Sequence, residues 1–195
     1  MDEILDITLL VADTFERLGV PYVVGGSLAS SLHGIPRSTQ DVDLVAAVTA
    51  AHVPDLIASF RDVFYYDEDA IREAIEERAS FNLIHLPTLF KVDVFVAKQD
   101  TASHVQLRRG QRFAVLEDPR RELMVASAED VVAHKLYWFS LGDEVSERQW
   151  ADAVGVLKVG GERLDLQYLR WITEQLGVEG LLRRACEAAG ISLDR

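Results

Sequence analysis

Cysteine occurs once in the 195 residues, as Cys186, so no internal disulfide is available to staple the fold. Such usage suits a reducing compartment. No apolar run reaches the length that a bilayer-spanning helix needs. The first stretch, MDEILDITLLVADTFERLG, opens with acids and spaces its apolar residues at helical intervals. A secretory leader needs a basic start and a continuous apolar block instead. The expected location is therefore the cytoplasm, with no membrane partner. Basic residues are scarce: 20 against 32 acidic ones, a formal net charge of -12. Broad non-specific binding of nucleic acid, driven by phosphate neutralisation, is disfavoured by that balance. The densest basic stretch is LRRGQRFAVLEDPRR, with Arg108, Arg109, Arg112, Arg120 and Arg121 interrupted by Glu117 and Asp118. It reads first as solvated surface, with a groove wall for a polyanion as the alternative. There are no repeats or low-complexity tracts.

What is present suffices for a real core: 49% of residues are hydrophobic and 27% charged, an ordinary globular balance. Residues 2–19 carry an apolar stripe of Ile4, Leu5, Leu9, Val11, Ala12, Phe15 and Leu18 and predict an amphipathic helix, stopped by Gly19 and Pro21. PYVVGG predicts a strand, SLASSLHG a short helix opened by Ser27, GIPRSTQ a loop and DVDLVAAV a second strand. AAHVPDLIASF and DEDAIREAIEERAS predict helices, and FNLIHL with FKVDVFVA an antiparallel hairpin turning near Pro87. Within residues 98–125, RFAVLE and RELMVA are expected as short strands. From Ser127 the pattern is helical: SAEDVVAHKLYWFSLG with a capping-box start, EVSERQWADAVGVLKVGG, DLQYLRWITEQLG and EGLLRRACEAAG. The expectation is an α/β front, residues 1–125, followed by a helical region, residues 126–195, packed on it.

Chemistry enters with DVDL. Asp41 and Asp43 are two apart on a predicted strand, so both carboxylates share one face. Two such charges repel unless a cation sits with them. Hard oxygen donors favour Mg²⁺ or Mn²⁺. A third acid, Asp93 in KVDVFV, stands inside an apolar strand, which is costly unless it is paired or coordinated. If the two strands are neighbours, three carboxylates form one cluster, able to hold two metals roughly 3.5 to 4 Å apart for in-line phosphoryl or nucleotidyl chemistry. Asp93 has an alternative partner in Lys91 or an arginine.

The turn before DVDL supplies the other half. Gly25 and Gly26 end the first strand and Ser27 begins a helix. Absent side chains let the backbone approach a ligand, and the free N–H groups of a helix start bind anions. A tight turn with Ser27 as a plain cap explains the same residues. The turn is not a P-loop, because the required Gly-Lys-Ser/Thr is missing. Together the halves suit a metal–triphosphate: phosphates on the Gly-Gly-Ser turn, metal on the acids.

These residues resemble the signature of the nucleotidyltransferase superfamily, the DNA polymerase β-like fold: Val24 and Gly25-Gly26-Ser27, then Asp41-Val42-Asp43, then Asp93 on a later strand. GIPRSTQDVDL is similar to the Gly-x-x-Arg-x-Thr-x-Asp-x-Asp form of minimal nucleotidyltransferases. Ser127, Glu129, Asp130 and Lys135, followed by Arg148 and Asp152, resemble the AbiEii-type (type IV toxin–antitoxin) nucleotidyltransferases. The resemblance implies a mixed β-sheet flanked by helices, with a C-terminal helical extension. It implies a Mg²⁺-dependent (or Mn²⁺-dependent) enzyme that transfers NMP from an NTP such as ATP to an acceptor hydroxyl. Asp41, Asp43 and Asp93 would be catalytic metal ligands. Gly25, Gly26, Ser27, Arg37, Lys135, Arg148 and Asp152 would serve the nucleotide, with Lys135 on the triphosphate. The acceptor would be tRNA, a protein or a small molecule, and a cognate toxin or antitoxin would be the partner. The acidic balance favours a protein or small molecule over RNA. The alternative is an inactive scaffold of the same fold, acting as a binding or regulatory partner.

From the residues alone, Lys135 equally suits a lysine snorkelling from a core helix, and Arg148 with Asp152 an ordinary helix ion pair. His33, Cys186 and the three tryptophans, Trp138, Trp150 and Trp171, read as structural. The five histidines form no metal-spaced pair near the acids, which argues against a metallophosphatase.

Overall fold

DVDLVA and KVDVFV each bury every second side chain, the period of a strand with one face on a core. The computed structural model, which describes residues 2–117 and 119–193, makes both of them strands of a seven-stranded mixed sheet. Asp118, which interrupts the basic stretch, lies outside the described residues. The strands are β1 (Tyr22–Val24), β2 (Asp41–Ala46), β3 (Phe64–Tyr65), β4 (Ser80–His85), β5 (Lys91–Val96), β6 (Gln111–Glu117) and β7 (Arg120–Val125), in the order β3-β4-β5-β2-β1-β7-β6. The β2–β5 and β1–β7 pairs are parallel and the remaining pairs antiparallel.

The described helices are α1 (Asp2–Arg17), α2 (Gly26–His33), α3 (Val53–Phe60), α4 (Glu68–Glu77), α5 (Thr101–Arg109), α6 (Ala128–Leu141), α7 (Glu147–Gly160), α8 (Leu166–Gln175) and α9 (Glu179–Ala189). The chain divides into two compact units. One comprises residues 1–25 and 38–125 and contains the whole sheet with α1, α3, α4 and α5. Its buried core includes Ile7, Phe15, Leu44, Leu56, Phe60 and Leu83. The other comprises residues 26–37 and 126–195 and contains α2 with α6–α9. Leu136, Leu157, Leu169, Ile172 and Leu182 are buried there.

Most expected elements form, including the β4–β5 hairpin. The differences have local causes. α5 is not anticipated, because TASHVQLRR has no apolar stripe; Gln106 is its one fully buried residue. Its start is held by Asp100, whose carboxylate accepts the Ser103 N–H at 2.7 Å. α7 begins after Ser146 rather than at Glu144, since Asp143 and Glu144 both take positive φ, 53° and 59°, where a right-handed helix cannot run. α2 begins at Gly26, whose φ of 53° favours a glycine, so Ser27 lies inside the first turn instead of capping it.

Candidate active site

The first unit carries the acids. β2 and β5 run parallel in a register that sets Asp41 beside Lys91 and Asp43 beside Asp93. All four residues are half-buried and lie on the face opposite Val42, Leu44, Val92 and Val94, which are buried. β4 adds Asn82, in register with Asp93 from the other side. That residue is not singled out by the sequence, where it is one polar position in an alternating strand. Gly25 donates its N–H to the Asp43 carbonyl at 2.8 Å, continuing the ladder just past β1. Thr39 donates its hydroxyl to Asp41 Oδ1 at 2.9 Å, which orients that carboxylate.

The expected three-acid face therefore exists, and it contains a cation of its own. Lys91 Nζ lies 2.7 Å from Asp93 Oδ2. The hydrogen bond to Asp93 holds the Lys91 ammonium above its ordinary pKa against the opposing effect of burial, and the charges of Asp93, Asp41 and Asp43 add to this. In kind, the donors fit a hard divalent ion: carboxylate oxygens on neighbouring strands, facing one way. As the side chains stand, no group of three or more His, Cys, Asp or Glu among the described residues is arranged to hold a metal. Asp93 holds Lys91 instead.

The second unit gathers the cationic residues. Arg37, in the loop after α2, makes a two-pronged contact with Asp152 of α7: Nε to Oδ1 and Nη2 to Oδ2, both 2.8 Å. Lys135 of α6 reaches the same carboxylate, Nζ to Oδ2 at 2.8 Å. Lys135 and Asp152 are almost fully buried. Ser27 Oγ accepts from Arg37 Nη2 at 2.6 Å and from Lys135 Nζ at 3.4 Å. Four of the residues expected to serve the nucleotide thus share one network: Ser27, Arg37, Lys135 and Asp152. Burial pushes the Asp152 carboxyl up, but the hydrogen bonds and charges of Arg37 and Lys135 outweigh it and hold the group below its ordinary value.

Arg148 is different. It is exposed on α7 and, among the described residues, has no ion-pair partner, so the ion pair with Asp152 at helical spacing does not form. Asp152 turns to Arg37 and Lys135, which offer a bidentate and a buried partner.

The Ser127–Glu129–Asp130 pattern braces the second unit. Ser127 caps α6 by accepting the Asp130 N–H at 3.2 Å, and its hydroxyl donates to Asp130 Oδ2 at 2.6 Å. Asp130, fully buried, also accepts the Tyr168 hydroxyl at 2.7 Å, and Glu129 Oε1 accepts the Asp165 N–H at 2.8 Å. Both contacts fix the start of α8 to the start of α6. His33 Nε2 lies 2.7 Å from the Ala126 carbonyl, and burial keeps the imidazole below its ordinary pKa. A carbonyl only accepts, so Nε2 donates its N–H to it. Trp150 packs on Phe139 with ring centroids 5.3 Å apart, and Trp171 on Tyr168 at 5.6 Å, while Trp138 is half exposed. Burial raises the Cys186 thiol to about 11, as befits an inert core residue.

No family model matches the chain, and no curated protein matches it significantly. Solved structures do. An antigenic nucleotidyltransferase-like protein from Paracoccidioides brasiliensis is similar over 96% of this chain and 93% of its own, with TM-score 0.56 and 20% identity. The lincosamide antibiotic adenylyltransferase LnuA, in a lincomycin-bound structure, matches over 82% of this chain and 98% of its own, with TM-score 0.52 and 14% identity. ANT(2")-Ia in complex with adenylyl-2"-tobramycin matches over 91% and 98%, with TM-score 0.53 and 15% identity. The mixed sheet and its helices are the fold of nucleotidyltransferase-like proteins.

Proposed function

We propose that this protein is a metal-dependent nucleotidyltransferase. One observation carries the reading: Asp41, Asp43 and Asp93 share one face of two adjacent parallel strands, with Asp43 in register with Asp93. The nucleotidyltransferase-like fold supports it.

In this reading an acceptor hydroxyl attacks the α-phosphorus of an NTP such as ATP. The bond to the β-phosphate oxygen breaks, and pyrophosphate leaves. Asp41, Asp43 and Asp93 would hold Mg²⁺ or Mn²⁺, and Asp93 would take the acceptor proton. A divalent ion held there would supply charge neutralisation at the phosphates and activation of the attacking oxygen. Gly25 and Gly26 allow close approach of the backbone at the start of α2, and Ser27, Arg37 and Lys135 bind phosphate oxygens. Asp152 positions the two cations, and Arg148, exposed, meets base or ribose. The acceptor is a tRNA end, a protein hydroxyl or a small molecule, the last two favoured by the net charge of -12. Within the superfamily, the Ser127–Glu129–Asp130, Lys135 and Asp152 pattern favours an AbiEii-type role beside a toxin or antitoxin partner. A cytoplasmic location accords with the single cysteine.

A second reading, a scaffold without activity, draws on the Lys91–Asp93 pair and on the engagement of Arg37 and Lys135 by Asp152. One experiment separates the two. Purified protein is incubated with Mg²⁺, each α-labelled NTP in turn, and bulk tRNA, cell extract or an aminoglycoside, beside the Asp41→Ala/Asp43→Ala variant. Label transferred by the wild type, and cut at least ~100-fold in the variant, is expected for loss of metal-borne transition-state stabilisation. Equal label from both proteins contradicts the enzyme reading.

A further inference from the structure

The carboxylate face of the first unit brings its own positive charge, and the metal reading does not account for it. β5 places Lys91 two residues before Asp93, hence on the same face, and the parallel register sets it beside Asp41. Its ammonium reaches Asp93 Oδ2 at 2.7 Å. The Lys91 side chain is 44% exposed whereas that of Asp93 is 14% exposed. The pair is therefore a solvent-reachable cation on a largely covered carboxylate. A lysine ammonium is a compact point charge on a flexible four-carbon stem, able to swing into solvent without disturbing the strand.

Resting on the reading that these carboxylates bind a divalent ion, we infer that Lys91 is the internal counter-ion of the metal-free face and competes with the metal for Asp93. In the metal-free protein it relieves the repulsion among three like charges gathered on two strands. A divalent ion that takes Asp93 as a ligand repels the ammonium from the 2.7 Å contact, because two cations drawn to one carboxylate repel each other. Metal affinity is thereby set below what three carboxylates alone would give. Lys91 is a positioning residue: it acts through Asp93.

The test is Mn²⁺ titration, with free Mn²⁺ read by electron paramagnetic resonance, on the full chain and its Lys91→Met and Lys91→Arg variants. Lys91→Met keeps the stem and removes the charge. It is expected to bind Mn²⁺ about tenfold more tightly than the wild type, as removal of one competing charge at salt-bridge distance implies. Lys91→Arg keeps a cation and should stay within about twofold of the wild type. Equal or weaker Mn²⁺ binding by Lys91→Met, with wild-type binding intact, overturns the inference alone. No Mn²⁺ binding by any of the three overturns the metal reading and this inference with it. Should Lys91→Met fail to fold, the wild type carries the test: amine acylation of Lys91, followed by mass spectrometry, should be slow without Mn²⁺ and faster with it. An unchanged rate under saturating Mn²⁺ refutes the displacement.

Discussion

Asp152 shows how a residue's neighbours decide its work. Its carboxylate, almost fully buried, meets a bidentate Arg37 and a buried Lys135. Replacing it by Asn leaves two cations without their shared partner. Removal of one member of a buried ion pair costs about 3 to 5 kcal/mol, and Asp152→Asn is expected to lose about that much in urea unfolding at pH 7. The pH dependence follows from the direction of the shift. The folded-state pKa lies below the unfolded value, so the unfolded chain binds the proton first as pH falls. The contribution is complete above the ordinary aspartate value of about 3.9 and is lost as pH drops through the lower folded value. The gap between wild type and Asp152→Asn should narrow in titrations below about pH 4. A constant gap down to pH 2 would mean that Asp152 is not the partner the geometry makes it. The acids at 41, 43 and 93 are legible in sequence because alternation along a strand fixes their face. The Arg37–Asp152 contact is not, because its members are 115 positions apart and each had a plausible local role.

At the scale of elements, what was legible depended on an apolar period. α1, β2, β5 and α6 each have one or a strong cap, and the expected spans formed. α5 has none, and the two-residue β3 is too short to show a period. The α2 loop is a packing feature that no period reveals. A side chain at Gly34 would meet the Val156 amide nitrogen at 2.9 Å, the Ser30 carbonyl at 3.0 Å and Val156 Cγ2 at 3.0 Å. Two of these are backbone atoms of α7 and α2, which cannot step aside cheaply. Gly34→Ala is expected to cost about 1 to 3 kcal/mol by overpacking. Gly180→Ala is the matched control: nothing lies within 4 Å of its added methyl, and α9 gains a better helix former. It should be neutral or stabilise by up to about 1 kcal/mol. Equal melting temperatures for the two variants would contradict the close approach of α2 to α7.

At the scale of the whole molecule, the acid face lies on a nucleotidyltransferase-like fold. Sequence comparison finds no family, yet the fold matches nucleotidyltransferase-like structures over 82% to 96% of the chain at 20% identity or below. Fold at that distance is kept by buried apolar positions, which tolerate exchange as long as pattern and volume persist. The polar residues proposed for the chemistry are a small part of the chain, so in sequence the resemblance rests on short stretches: Gly-Gly-Ser, Asp-x-Asp, Asp93 and the scattered pattern from Ser127 to Asp152. The most direct measurement follows from the bond the enzyme is proposed to break. Wild-type protein with Mg²⁺ and an acceptor extract is given the same NTP labelled at the α-phosphate in one reaction and at the γ-phosphate in another. Nucleotidyl transfer predicts that α-label joins the acceptor while γ-label leaves as pyrophosphate. Label joining the acceptor from the γ-position, or from neither position with any NTP, would contradict the central claim.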